Sequence, residues 1–120
     1  SNAKVIILTD GRSISQRLKI KSLKLDKLPL YISEEYSSIK PNQKRFLLIQ
    51  NKYKGSKFAY IGDNPNKDFK APKELNWLCV GTDWCTDKIH NERVINKNNE
   101  PDIWIKEPKD LLKILNQDIL

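Results

Sequence analysis

The chain has 120 residues, 38% hydrophobic and 31% charged, which is the composition of one folded domain rather than of a disordered or fibrous chain. Its longest apolar run, Val5 to Leu8, has four residues, far short of the roughly 18 that a membrane span needs, and with no export signal in view a cytoplasmic protein is expected. The net charge of +7 comes from 18 lysines spread from Lys4 to Lys113 and four arginines, a diffuse pattern that reads as a solvated basic surface and argues against a nucleic-acid binder.

Ser1-Asn2-Ala3 reads as the remnant of a cleaved expression tag, followed by Lys4 in a chain that contains no methionine, so residues 4–120 read as a single domain taken from within a longer protein. Lys4–Thr9 is a near-continuous β-branched run, as expected of a strand buried on both faces. Ser13 with Gln16 three residues on predicts a capping box opening a helix, with Ile14, Leu18, Ile20 and Leu23 as its apolar face. Pro29–Ser33 reads as a second strand. Pro41 is placed to open a helix at its first position, carrying Phe46, Leu47, Ile49 and Tyr53 and ending near Gly55. Lys57–Ile61 reads as a third strand, Asp68 to Asn76 as a short helix with Pro72 in its first turn, and Trp77–Gly81 as a fourth strand.

Residues 82–101 are polar and without period, a long loop or excursion. Asp102–Ile105 reads as the fifth strand, and Pro108 opens a last helix with Leu111, Leu112, Ile114 and Leu115 on its buried face. Cys79 and Cys85, six apart and with only His90 near, have no metal-site spacing and read as reduced thiols. Strands alternating with helices predict an α/β fold, an open and mainly parallel Rossmann-like sheet with helices on both faces.

Ligands of such sheets bind outside the carboxyl ends of the strands. There the first strand delivers Thr9-Asp10-Gly11, the second leads to Lys40-Pro41, and the third delivers Gly62-Asp63 with Asp68 five residues on. Hydroxyl, backbone N–H groups and an ammonium neutralise phosphate oxygens, while carboxylate oxygens hold Mg²⁺ beside water and substrate. Taken singly, each residue has an ordinary structural explanation: Thr9-Asp10-Gly11 as a turn, Lys40 as a surface lysine, Asp68 as a helix N-cap. Their order and spacing carry the inference.

That set resembles the haloacid dehalogenase-like (HAD) hydrolase superfamily. VIILTDGRS resembles its second motif, ISEEYSSIKPNQKRF its third, YIGDNPNKDFKAPKELNW its fourth (GDxxxxD), and PDIWIKEPKDLLKIL the strand and helix that commonly close its core. The resemblance runs from Lys4 to Leu115. It implies Thr9 as a phosphate-binding hydroxyl beside the N–H groups of Asp10 and Gly11, Lys40 as the phosphate-binding lysine, Asp63 as a Mg²⁺ ligand and Asp68 as its support. The implied activity is Mg²⁺-dependent hydrolysis of a small phosphomonoester.

The departure from the family pattern is its first motif, DxDx(T/V), which supplies the aspartate nucleophile and should precede Lys4. Asp10 does not replace it, because Arg12 stands where the second aspartate belongs. The chain by itself is therefore expected to be inactive. The strand that carries that motif is central in the family, so the strands ending at Thr9 and Asp63 would pair directly, leave an open edge, or recruit a strand, with a homodimer or strand exchange across the gap expected. A second reading is a non-catalytic phosphate or sugar-phosphate binding module. A response-regulator receiver domain fits less well, because Lys40-Pro41 precedes Asp63 rather than following it.

Overall fold

The computed structural model describes residues 3–83 and 99–116, so Cys85, His90 and most of the polar 82–101 stretch lie outside the described residues. Among the described residues the elements run β1 (Ile7–Thr9), α1 (Ser13–Ser22), β2 (Leu30–Ile32), α2 (Ser33–Tyr36), α3 (Lys44–Lys52), β3 (Ala59–Gly62), α4 (Lys70–Glu74), β4 (Leu78–Thr82), β5 (Ile103–Ile105) and α5 (Pro108–Asn116). All ladders are parallel, as the alternation requires. The strands do not form one sheet, however. β1 pairs with β2, Leu8 opposite Tyr31, and a separate sheet runs β3-β4-β5, with Tyr60 opposite Cys79 and Gly81 opposite Trp104. Among the described residues the strands ending at Thr9 and Asp63 do not pair with each other, so of the three outcomes direct pairing is the one the chain does not adopt.

One apolar cluster joins the two sheets: Tyr31, Phe46, Ile49, Ala71 and Trp77, with Ile6, Leu8, Phe58 and Tyr60 packed against it. Its aromatic rings meet edge to face, Phe46 at 5.1 Å from Tyr60 and 5.4 Å from Trp77, while Phe58 stacks on Trp77 at 4.8 Å. Because side chains alternate along a strand, β4 turns Val80 and Leu78 the other way, where they meet Ile105, Leu111 and Ile114 of β5 and α5. The three-stranded sheet is thus covered on both faces.

Several local expectations give way to tertiary contacts. The capping box at Ser13 does not form: α1 has Arg12 at its N-cap and no side-chain cap bond. Glutamates of α2 do that work from across space, Glu34 accepting the Ser13 N–H at 2.9 Å and Glu35 accepting the Ser13 hydroxyl and a two-pronged contact from Arg17 at 2.7 Å. Gln16 instead accepts from the Thr9 hydroxyl. Of the apolar face expected of α1, Ile20 is buried while Ile14, Leu18 and Leu23 are exposed. Pro41 does not open α3: it follows a cis peptide in a turn closed by Asn42 N–H to Ile39, and the helix starts at Lys44, whose N–H Asn42 Oδ1 accepts. Leu112 on α5 is exposed.

Candidate active site

The three segments at the carboxyl ends of β1, β2 and β3 are tied together by two buried ion pairs. Asp10, just past β1, accepts from Arg45 Nη2 at 2.5 Å and from the Lys40 backbone N–H at 3.2 Å. Arg45 is fully buried in α3, and its Nη1 donates to the carbonyls of Thr9 at 2.8 Å and Tyr31 at 3.1 Å, closing the ends of β1 and β2 together. A guanidinium survives such burial because its planar fork meets several acceptors at once. Only its Nε finds no acceptor among the described residues.

The second pair joins the β2–α3 connection to the turn after β3. Lys40 Nζ donates to Asp68 Oδ1 at 2.8 Å and to the Tyr60 hydroxyl at 3.0 Å, with side-chain exposures of 10% for Lys40 and 3% for Asp68. The other oxygen of Asp68 accepts the N–H groups of Asp63 at 3.1 Å and Asn64 at 2.8 Å. Asp68 is therefore no helix cap: α4 begins after Phe69 with no side-chain cap bond. It is a clasp that shapes the Gly62–Asn64 turn and holds Lys40. Gly62 is required for this approach, since a Cβ there would lie 2.6 Å from Asp68 Oδ2.

Burial by itself would pull the Lys40 ammonium down, but its contacts with Tyr60 and Asp68 outweigh it and hold the group above the ordinary lysine value. Burial pushes the Tyr60 phenol up as well, against the pull of the neighbouring ammonium, so Tyr60 meets Lys40 as a neutral acceptor. An ammonium has three donors, and two are spent on Asp68 and Tyr60.

All six residues singled out by sequence thus stand on one rim. Thr9 directs its hydroxyl to Gln16 Oε1 at 3.3 Å, Gly11 donates its N–H to Ser33 Oγ at 2.8 Å, Asp10 and Lys40 are bridged through the Lys40 N–H, and Asp63 follows β3 directly, its N–H on Asp68. Sequence reasoning missed Arg45, Tyr60 and Ser33. Arg45 left one trace: an arginine directly before Phe46 in an amphipathic stretch, which nothing local distinguishes from a solvated one.

Two carboxylates of this rim are already engaged by cations of the chain itself. Asp68 has both oxygens engaged and Asp10 is held by Arg45, and no group of three or more His, Cys, Asp or Glu occurs among the described residues. A hollow of about 860 Å³ lies elsewhere: Gln50, Lys54, Lys57 and Asn76 line it, around the amino ends of β3 and β4, away from the rim where ligands of parallel sheets bind.

The fold is HAD-like. Over 95% of its length the chain is similar to the HAD-hydrolase YfnB of Bacillus subtilis, solved bound to magnesium, with a TM-score of 0.76 and 19% identity; over 92% it is similar to a HAD phosphatase of Thermococcus onnurineus, with a TM-score of 0.69 and 24% identity. It spans 50% and 49% of those chains, about half of each. No protein-family model matches the sequence, nor does any curated relative. No helix among the described residues is long and apolar enough to cross a membrane.

Proposed function

We propose that the chain is the phosphate-gripping part of a Mg²⁺-dependent phosphohydrolase for small phosphomonoesters, and that without a nucleophilic aspartate it binds but does not turn over. The observation that carries this is the Lys40 ammonium, held charged by Asp68 and Tyr60, on a residue whose backbone N–H meets Asp10 at the end of β1. In this reading Lys40 and the Thr9 hydroxyl take phosphate oxygens, and the Asp10 and Gly11 N–H groups lie beside them. Asp63 carries the carboxylate for Mg²⁺, Asp68 keeps its turn in shape, and the cation when bound offsets phosphoryl charge. The magnesium of the Bacillus structure supports the choice of metal. A free, buried thiol at Cys79 suits a cytoplasmic setting.

A binding module without turnover is the second reading, favoured by the engagement of Asp10 with Arg45 and Lys40, which takes the carboxylate at the end of β1 out of use as a nucleophile. Titrating inorganic phosphate with Mg²⁺ into the labelled chain should shift the amides of Thr9, Gly11 and Lys40, and Lys40→Met should abolish the shifts. p-Nitrophenyl phosphate should not be hydrolysed above background. Absence of any response at millimolar phosphate removes both readings, and a robust Asp63-dependent rate overturns the expectation of an inactive chain.

A further inference from the structure

The hollow of about 860 Å³ at the amino ends of β3 and β4 has the size of a small-molecule site, for which about 300–1,000 Å³ is usual. Phe58 and Trp77, stacked on each other, and Leu75 give it apolar surface. Two helices end beside it, and the lysines of their last turns, Lys52 in α3 and Lys73 in α4, answer the carbonyls that helix ends leave free. Lys73 is engaged further: its Nζ donates to the Glu100 carbonyl at 2.5 Å and lies 3.9 Å from Asp102. Lys54 and Lys57 have no such employment. They line the hollow from the connection between α3 and β3, are exposed, and enter no ion pair among the described residues.

The lining also carries the other sign. Asp102, just before β5, accepts the Cys79 N–H on Oδ2 at 2.8 Å, which fixes its carboxylate in place. β4 stands between β3 and β5, so Asp102 is about two strand spacings from the start of β3, about 10 Å. Side-chain amides complete the lining: Asn51, Asn76, and Gln50, whose Oε1 accepts the Trp77 indole N–H at 2.9 Å and whose NH₂ is left to donate. A bare phosphate would use only the lysine end. From this division of charge we propose that the hollow is a second ligand site, which takes a nucleoside diphosphate with an exocyclic amino group on its base. Lys54 and Lys57 hold the phosphates. Asp102 repels phosphate from its own end and accepts from the amino group, while Asn and Gln amides suit the donor and acceptor that adenine presents side by side. The inference uses no residue of the carboxyl-end rim and does not rest on the phosphohydrolase reading.

The test is an NMR titration of the whole labelled chain with adenosine diphosphate, without divalent metal, beside inosine diphosphate and inorganic pyrophosphate. Adenosine diphosphate should shift the amides of Lys54, Gly55, Lys57 and Asn76 and the Trp77 indole N–H, saturating by millimolar ligand. Inosine diphosphate, which lacks the amino group, should bind at least threefold more weakly, and pyrophosphate at least tenfold. Lys54→Glu with Lys57→Glu should weaken adenosine diphosphate at least tenfold and leave the rest of the spectrum unchanged, since both lysines are exposed. No shift at millimolar adenosine diphosphate, shifts confined to Thr9, Gly11 and Lys40, pyrophosphate or inosine diphosphate binding as tightly, or a double variant that binds like the parent overturns the inference. The titration with phosphate and Mg²⁺ reports separately on the rim: its failure alone refutes the proposed function and leaves this site standing, and the reverse refutes this site alone.

Discussion

Replacing Asp68 by alanine is the sharpest perturbation of the clasp. Asp68 is 3% exposed, and its loss leaves the Lys40 ammonium, itself 10% exposed, with the Tyr60 hydroxyl as its remaining partner. Breaking a buried ion pair from one side costs about 3–5 kcal/mol. The amides of Asp63 and Asn64 also lose their acceptor, but that turn is partly exposed and water replaces much of it, so each adds at most about 1 kcal/mol. A domain of 120 residues carries about 6–18 kcal/mol in all, at roughly 0.05–0.15 per residue. The ion-pair loss is about a sixth of that or more. At about 3–4 °C per kcal/mol it lowers Tm by roughly 10–20 °C. Urea and thermal unfolding followed by circular dichroism read this directly. The double variant Lys40→Met with Asp68→Leu should recover most of the loss, because an apolar pair of similar volume removes the stranded charge. An Asp68→Ala protein within 1 kcal/mol of the parent, or a double variant no better than the single, would show that the pair does not hold the rim.

Gly62→Ala should cost about 1–3 kcal/mol through the 2.6 Å approach to Asp68, and most of that cost should vanish in an Asp68→Ala background, where the clashing oxygen is gone; additive losses in the double-mutant cycle would refute the contact. The Glu35 carboxyl, held down to about 2 chiefly by its hydrogen bonds from Arg17 and Ser13, contributes stability that is present above about pH 4.5 and is lost as pH falls toward 2; carbon-detected titration should place its midpoint near 2, and Arg17→Met should return it most of the way to the ordinary glutamate value. Burial, aided by Asp102, pushes the Cys79 thiol up to about 12, so its share of stability is present below about pH 9 and lost between 9 and 12; Cys79→Ala should flatten the fall of stability over that window, and Cys79 of the native chain should resist iodoacetamide at pH 8.

The alternation of strands and helices was legible because apolar runs such as Val5–Leu8 and the Phe46/Ile49 spacing are local, and local periodicity settles which element forms. Boundaries moved where a distant group competed. Ser13 caps nothing because Glu34 and Glu35, twenty or more residues on, reach its N–H and hydroxyl first. Ile14 and Leu18 carry helical spacing but stay exposed, since periodicity names a candidate face without saying what it meets. The rim was legible for a different reason: in a parallel sheet the carboxyl ends of strands converge, so Thr9, Lys40 and Asp63 could be placed together from their positions in the chain.

The bonds between those residues were not legible. Whether Asp68 caps α4 or clasps Lys40, and whether Arg45 faces solvent or closes β1 onto β2, depends on desolvation, and desolvation is a property of what packs around a group rather than of its neighbours in sequence. The division of the strands into two sheets has the same origin. The strands themselves follow from local sequence, but which of them share a ladder is a matter of tertiary packing: β1 pairs with β2 and β3 with β4, around the shared core of Phe46, Ile49, Tyr31 and Trp77.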